Sequence, residues 1–291
     1  MKIQVFIINM ASAINWLGLA NINRNEICSS SLLSPAQKRL CSRAGINPMA
    51  LPSAARATID TCVESMKSAR WGCQMSRHNT QSREHAYINA LSTAQLILST
   101  EYTCKTGEQC RPSIGYARQM IGLEKAHSKL DQVIRQHNIV AGIEKLKQST
   151  VKKCRCHGQS GACTQKTCWT ESPRPDAIAN QLKAEYDQAV QVSNENEAGK
   201  IPLELALLTP FFTDRLLFTR DSADFCSSTK GRTCQLDDIT KESHCQNLCC
   251  HRGHLTKHYR VQKPGKCSFE WPDKINCQSS TTHQKVKNIC L

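Results

Sequence analysis

The chain is poor in aromatic residues, at 5% of 291 positions, and poor in acids: 24 Asp and Glu stand against 38 Lys and Arg, for a net charge of +14. It has no apolar run near the ~18 residues that cross a bilayer, so no membrane-spanning helix is expected. It also lacks an internal repeat and any basic motif interleaved with aromatics. Nucleic acid is therefore not an expected partner, and the positive field suits sulfated polysaccharide or anionic headgroups better. The tripeptide N-x-[ST] is missing as well, so no N-glycosylation is expected. With 40% apolar residues the chain is still an ordinary globular one, long enough for a sizeable core.

What it holds in excess is sulfur: 18 cysteines, spread from Cys28 to Cys290. A reducing cytosol leaves so many thiols without structural use unless metal takes them, whereas an oxidising compartment makes them staples. At the N-terminus, Lys2, the apolar IQVFIINM and the triplet Ala11-Ser12-Ala13 read as a short secretory leader over residues 1–13. The expected location is the extracellular space and matrix.

Up to residue 192 the pattern is helical. Ala55, Ile59, Cys62, Val63 and Met66 recur at helical spacing, as do Tyr87, Leu91, Ala94 and Leu98. A third stripe takes in Leu123, Ala126, Leu130, Val133, Ile134, His137 and Ala141, and a fourth Ile178, Leu182, Tyr186 and Ala189. His137 on such a stripe reads as a core histidine rather than a catalytic one. SNENEAGKIP, from Ser193 to Pro202, opens a polar linker over 193–225. Beyond it, eight cysteines from Cys226 to Cys290 lie among short polar runs that bury little and need disulfides to hold together. The expected fold is α+β and disulfide-rich. A helical-bundle N-terminal domain over 14–192 bears a stapled hairpin at 154–168, and a small C-terminal domain of short strands and loops covers 226–291.

The stretch CRCHGQSGACTQKTCW, Cys154 to Trp169, carries the chemistry. A zinc site could draw on Cys154, Cys156, His157, Cys163 and Cys168. However, one residue between Cys154 and Cys156 puts both sulfurs on one face of a strand, which suits hairpin rungs better than corners of a tetrahedron. Cys156 paired with Cys163 closes a tight loop around HGQSGA, and Cys154 with Cys168 forms an outer rung. The return side is the longer, so a bulge is expected, with Gly158 and Gly161 supplying positive φ at the tip. Ser160 then stands at the apex. A secreted serine hydrolase using Ser160 and His157 is the alternative, but the local GQSGA is not the strained G-x-S-x-G elbow. A hydroxyl on a stapled finger reads as another enzyme's substrate.

The same stretch closely resembles the signature of the Wnt family of secreted, lipid-modified signalling proteins. CVESMKSARWGC at 62–73, HAYINALSTAQ, HNIVAG at 137–142, LKAEYDQAVQV, and then DFC, GRTC, CQNLCCHRGH and CSFEW follow the family order. The resemblance implies a mono-unsaturated fatty acyl group on Ser160, added by the acyltransferase Porcupine, and no other cofactor, no metal and no catalytic residue. It implies a Wntless carrier and a Frizzled cysteine-rich domain as receptor. The receptor would be met by His157, Gly158, Gln159, Ser160 and Gly161 on one finger and by Phe269 and Trp271 on a C-terminal finger. A low-density-lipoprotein-receptor-related co-receptor is a candidate further partner. The basic run from His251 to Lys266 is a candidate heparan-sulfate patch.

The family commonly carries more cysteines than the 18 found here. Pro272 and Asp273 stand where family members have a bonded pair, Gly265 and Ser280 stand at another, and Pro112 replaces a third cysteine whose partner is deleted after Ser113. Whole pairs are missing, as a network that tolerates no orphan thiol requires. The pattern implied for the rest joins Cys28 to Cys41, Cys62 to Cys73, Cys104 to Cys110, Cys154 to Cys168 and Cys156 to Cys163. In the C-terminal part it joins Cys226 to Cys250, Cys234 to Cys245, Cys249 to Cys290 and Cys267 to Cys277.

Overall fold

A computed structural model describes residues 15–43, 47–74, 81–105, 114–124, 126, 128–194, 197–263, 265, 267–271, 274–277 and 281–291. The leader expected at 1–13, the Cys104–Cys110 pairing, Pro112, Ser113, Pro272, Asp273 and Ser280 lie outside what is described. The chain divides into two compact units, residues 1–66 with 73–223, and 67–72 with 224–291.

The first unit is a bundle. Helix α1 (Pro35–Cys41) opens on a capping box: Ser34 accepts from the Gln37 backbone, Gln37 reciprocates, and Pro35 fills the first turn. It is followed by α2 (Ala50–Ser65), α3 (Arg83–Lys105), α4 (Ile114–Gly122) and α5 (Lys129–Ser149). Ser128 caps α5 by accepting from the Asp131 backbone, and the long third stripe breaks here, with Leu123 and Ala126 outside both α4 and α5. Strands β1 (Val151–Cys156) and β2 (Lys166–Glu171) form a hairpin between α5 and α6 (Pro175–Asp187).

Helix α3 is buried on all sides from Glu84 to Ile97, so it shows little amphipathic bias. Three of its polar residues are tied down. Thr93 Oγ1 donates to Asn89 O at 2.7 Å, Gln95 Nε2 to Pro175 O at 2.9 Å, and Glu84 accepts from Tyr186 Oη at 2.9 Å. Helices α3 and α5 meet at Gly142, where a Cβ would lie 2.4 Å from Ala90 O and 2.8 Å from its Cα, so only glycine permits that approach.

The expected linker over 193–225 is largely structured and belongs to the first unit through residue 223. β3 (Val190–Ser193) pairs in parallel with β4 (Ile201–Pro202), which runs into α7 (Leu203–Leu208), and with β5 (Leu217–Phe218). Ile134, Val192, Ala206 and Leu217 close a small core beneath them. Asn138 clamps β5: its amide donates to Leu217 O and accepts from Leu217 N, both at 2.9 Å. Polar composition hides this packing because a handful of apolar residues is spread over a long interval.

The second unit is held by sulfur. Its core cluster is Cys234, Cys245, Leu248, Cys249 and Cys290. β6 (Thr233–Cys234) and α8 (Cys245–Leu248) precede β7 (His254–Lys263), β8 (Cys267–Glu270), β9 (Lys274–Cys277) and β10 (Thr281–Cys290). β10 is central in a sheet ordered β6-β10-β7, and β8 pairs with β9. At 10 residues each, β7 and β10 exceed the short strands expected. Arg232 fastens the 67–72 segment to this unit, donating to Arg70 O at 2.9 Å and Lys67 O at 2.8 Å.

Glu124, just beyond α4, is a buried carboxylate. Its Oε1 accepts from Asn15 N at 2.6 Å, and its main-chain oxygen accepts from Arg135 Nη1 at 2.5 Å. Arg135 is itself paired with buried Asp131 at 3.2 Å. Burial pushes the Glu124 carboxyl up to about 7, against the pull of Arg135 and the Asn15 and Trp16 backbone amides. A carboxyl raised on folding stabilises fully below its ordinary value of 4.5, and that contribution disappears as pH climbs through about 7. Melting temperature measured across that interval should therefore decline less in Glu124→Gln than in the wild type; parallel declines would contradict this assignment.

Candidate functional site

The first finger starts where α5 stops. Thr150 Oγ1 donates to Leu146 O at 2.9 Å in the last turn, and the return strand is tethered by Ser172 Oγ donating to Glu101 at 2.6 Å. Between these anchors β1 and β2 pair in strict register from Val151↔Glu171 to Cys156↔Lys166. Disulfides join Cys154 to Cys168 and Cys156 to Cys163. The expected bulge is absent from this ladder. Cys163, Thr164 and Gln165 absorb the extra length beyond the last rung, where His157 N donates to Gln165 O at 2.8 Å.

The tip satisfies its own backbone. Gly158 N donates to Ala162 O at 2.8 Å, Gly161 N to Gly158 O at 2.9 Å and Ala162 N to Gln159 O at 3.1 Å. The left-handed residues are Ser160, at φ 57°, and Gly161, at φ 81°. Gly158 does not supply positive φ as expected; its φ is −67°. Glycine is needed there for space, because a Cβ would lie 2.2 Å from Ala162 O and 2.4 Å from Thr164 Oγ1. Ser160 thus occupies a backbone state that costs a non-glycine residue about 1–3 kcal/mol, held by the rungs below it. His157, Gln159, Ser160 and Gly161 are exposed and Gly158 half-buried. No hydrogen bond joins His157 to Ser160 among the described residues, so the geometry a base–nucleophile pair needs is not formed.

A second finger is built from β8 and β9, with a disulfide joining the facing Cys267 and Cys277. Phe269 stands opposite Ile275, and Trp271 follows at the turn. Their exposures, 64%, 67% and 88%, exclude a core-covering role for Trp271 and present three large apolar groups together. Ile275 was not among the expected contact residues; counting inward from the Cys267–Cys277 rung identifies it.

Among the described residues five further disulfides join Cys28 to Cys41, Cys62 to Cys73, Cys226 to Cys250, Cys234 to Cys245 and Cys249 to Cys290. The four sulfurs of the first finger bond one another, leaving no thiolate there for zinc. His137 lines a cavity of about 500 Å³ with Arg118, Val133, Val140 and Leu207. Its Nε2 lies 3.0 Å from Arg215 O, and burial lowers its pKa against that contact.

A helical unit that projects a doubly braced hairpin, with a second unit held mainly by sulfur, defines a disulfide-braced protein with exposed fingers. The profile of the wnt family matches residues 29–120 and 113–291. The chain belongs to the Wnt family of signalling ligands. It is 27% identical to Protein Wnt-2 of Caenorhabditis elegans over 94% of this chain and 90% of that one. Protein Wnt-9b of Homo sapiens is 27% identical over 89% and 84% respectively. Among solved structures, the human WLS complex with WNT8A contains a chain of similar fold, with TM-score 0.62 at 21% identity, covering 87% of this chain and 97% of that one. No helix among the described residues is long and apolar enough to cross a membrane.

Gly158→Ala should disturb the finger tip alone. Amide exchange at 157–165 should quicken while the global unfolding free energy stays within about 0.5 kcal/mol of wild type, as for a local surface change. Unchanged exchange would show that the tip tolerates a Cβ.

Proposed function

We propose that this protein is a secreted Wnt ligand, acylated on Ser160 with a mono-unsaturated fatty chain, that binds a Frizzled cysteine-rich domain. The observation that carries this reading is the position of Ser160, exposed and left-handed at the apex of a hairpin braced by two disulfides. An acyltransferase of the Porcupine type needs a hydroxyl held clear of the fold. A receptor groove then gains about 0.8 kcal/mol for each methylene buried. Phe269, Trp271 and Ile275 supply the second, protein-only contact, in keeping with the role of exposed aromatics as interface anchors. The WLS–WNT8A likeness supports a Wntless-type carrier, and an LDL-receptor-related co-receptor remains part of the proposal by family resemblance alone. Mass spectrometry of the Cys156–Cys168 peptide from secreted protein should find an acyl mass on Ser160. Ser160→Ala should keep the wild-type melting temperature while losing that mass, carrier-dependent secretion and signalling. A secreted, unacylated and fully active wild type would overturn the reading, and labelling of Ser160 by an active-site phosphonate would favour the hydrolase.

Heparan sulfate belongs to the same proposal, and the sheet enlarges its candidate site. Strands β7 and β10 contain no acid, and their register sets Lys257 opposite Lys287 and Tyr259 opposite Lys285 on one face. All four side chains are exposed. Like charges directly opposed destabilise a sheet, so a bound polyanion relieves a standing repulsion. Lys257→Glu with Lys287→Glu should elute from heparin at markedly lower salt than wild type; unchanged elution would place the site elsewhere.

A further inference from the structure

We propose that the first finger is a two-part anchor for bilayers bearing anionic headgroups: the acyl chain inserts, and Lys152, Arg155 and Lys166 hold the finger to the headgroups. This rests on the acylation of Ser160 argued above. One acyl chain gives marginal, reversible membrane binding, and a stable hold needs a second signal such as a basic patch.

The finger carries that patch. Residues 151–171 contain four Lys and Arg, at 152, 153, 155 and 166, against the single acid Glu171. Lys153 is spent in an ion pair with Glu171. Lys152, Arg155 and Lys166 are exposed and have no ion pair among the described residues. Two of them sit in the rungs next to the tip, Lys166 across from Cys156 and Arg155 across from Thr167. Lys152 lies four residues behind Cys156, roughly 13 Å along the strand.

Their sidedness matters. Alternation puts Lys152 and Lys166 on the face of Cys154 and Cys168, and Arg155 on the opposite face with Trp169. A finger approaching tip-first therefore brings cations to the surface at any rotation about its axis. Trp169, 45% exposed, adds a side chain that favours the headgroup level. The finger itself stops at that level. A two-stranded ladder leaves both outer edges unpaired, and such edges do not enter hydrocarbon. Only the acyl chain goes deeper, which leaves the cations among the phosphates. The hold is salt-sensitive and reversible, as a ligand passed from carrier to receptor requires.

Flotation with vesicles tests this, using secreted protein whose Ser160 acyl group is verified by intact mass. Each cation near an anionic surface is worth about fivefold in affinity. Replacing all three, as Lys152→Gln, Arg155→Gln and Lys166→Gln, should weaken binding to phosphatidylserine-containing vesicles by about 100-fold. Binding to pure phosphatidylcholine should not change. Raising salt should release wild type from the anionic vesicles only, a readout that stands even if the triple variant folds poorly. Acylated wild type that binds both vesicle types equally, or without salt dependence, overturns the anchor and leaves acylation standing. Loss of heparin binding with vesicle binding intact assigns the cations to polysaccharide and likewise overturns it. Absence of the acyl mass removes the acylation reading and this one with it.

Discussion

Covalent sulfur does in this chain what apolar burial does elsewhere. The core cluster of the second unit contains Leu248 and four cysteines, far too little apolar surface to offset the entropy of ordering its residues. The Cys249–Cys290 bond spans 41 residues and ties the end of β10 back to α8. In the loop-entropy picture a closure of that length is worth about 4 kcal/mol, against about 2 for the short loop closed by Cys156 and Cys163. The long bond sets the architecture of its unit, and the short one sets a local shape. Both kinds are needed, because the fingers have no core of their own and their side chains face solvent on both sides.

In the first unit the constraint is different. Helix α3 is enclosed by its neighbours, and three of its polar residues are tied to partners inside the protein: Thr93 on its own helix, Gln95 at the start of α6, Glu84 from Tyr186. Each satisfied group fixes a neighbour's position, and Gly142 lets α5 lie close enough for the arrangement to close. The end of α5 then leads directly into β1. The orientation of the finger is thus inherited from a rigid helix rather than from a loop, and the hydroxyl at its apex is presented by a chain of defined supports.

Legibility in the sequence followed burial. Helix α6 has one buried stripe, Ile178, Leu182 and Tyr186, and periodicity reveals it. Helix α3 yields only part of its buried surface to the same test, since Asn89, Ser92 and Thr93 are interior too. Strands β7 and β10 are exposed on both faces for most of their length, which removes the alternation that marks a strand. The finger was legible because two cysteines one residue apart must share a face, which geometry alone decides. The remaining pairings came only through family resemblance, as spacing cannot choose among so many partners. The role of Gly158 was missed because a steric need and a dihedral need select the same residue. The left-handed state of Ser160 was missed because a serine gives no such signal.

The two fingers differ in bracing. The first has one disulfide in its ladder and another across its tip loop, and it must hold Ser160 in a strained conformation. The second has a single rung and presents Phe269, Ile275 and Trp271, none of which needs an unusual backbone. A covalently attached chain contributes affinity in proportion to its length wherever a groove accepts it, but only if its attachment point is fixed. Aromatic groups on a ladder with one cross-link can adjust their rotamers to the surface they meet, at a cost of about 0.5–1.5 kcal/mol per side chain immobilised. On the proposed reading, rigidity is concentrated where a modifying enzyme and a receptor would have to find the same atom, and it is relaxed where a contact could be fitted on arrival. Of the three cysteine pairs that the family resemblance counts as missing, two fall at Gly265, Pro272, Asp273 and Ser280 around the second finger, where that division of labour can tolerate their loss, and the third falls at Pro112 in the N-terminal half.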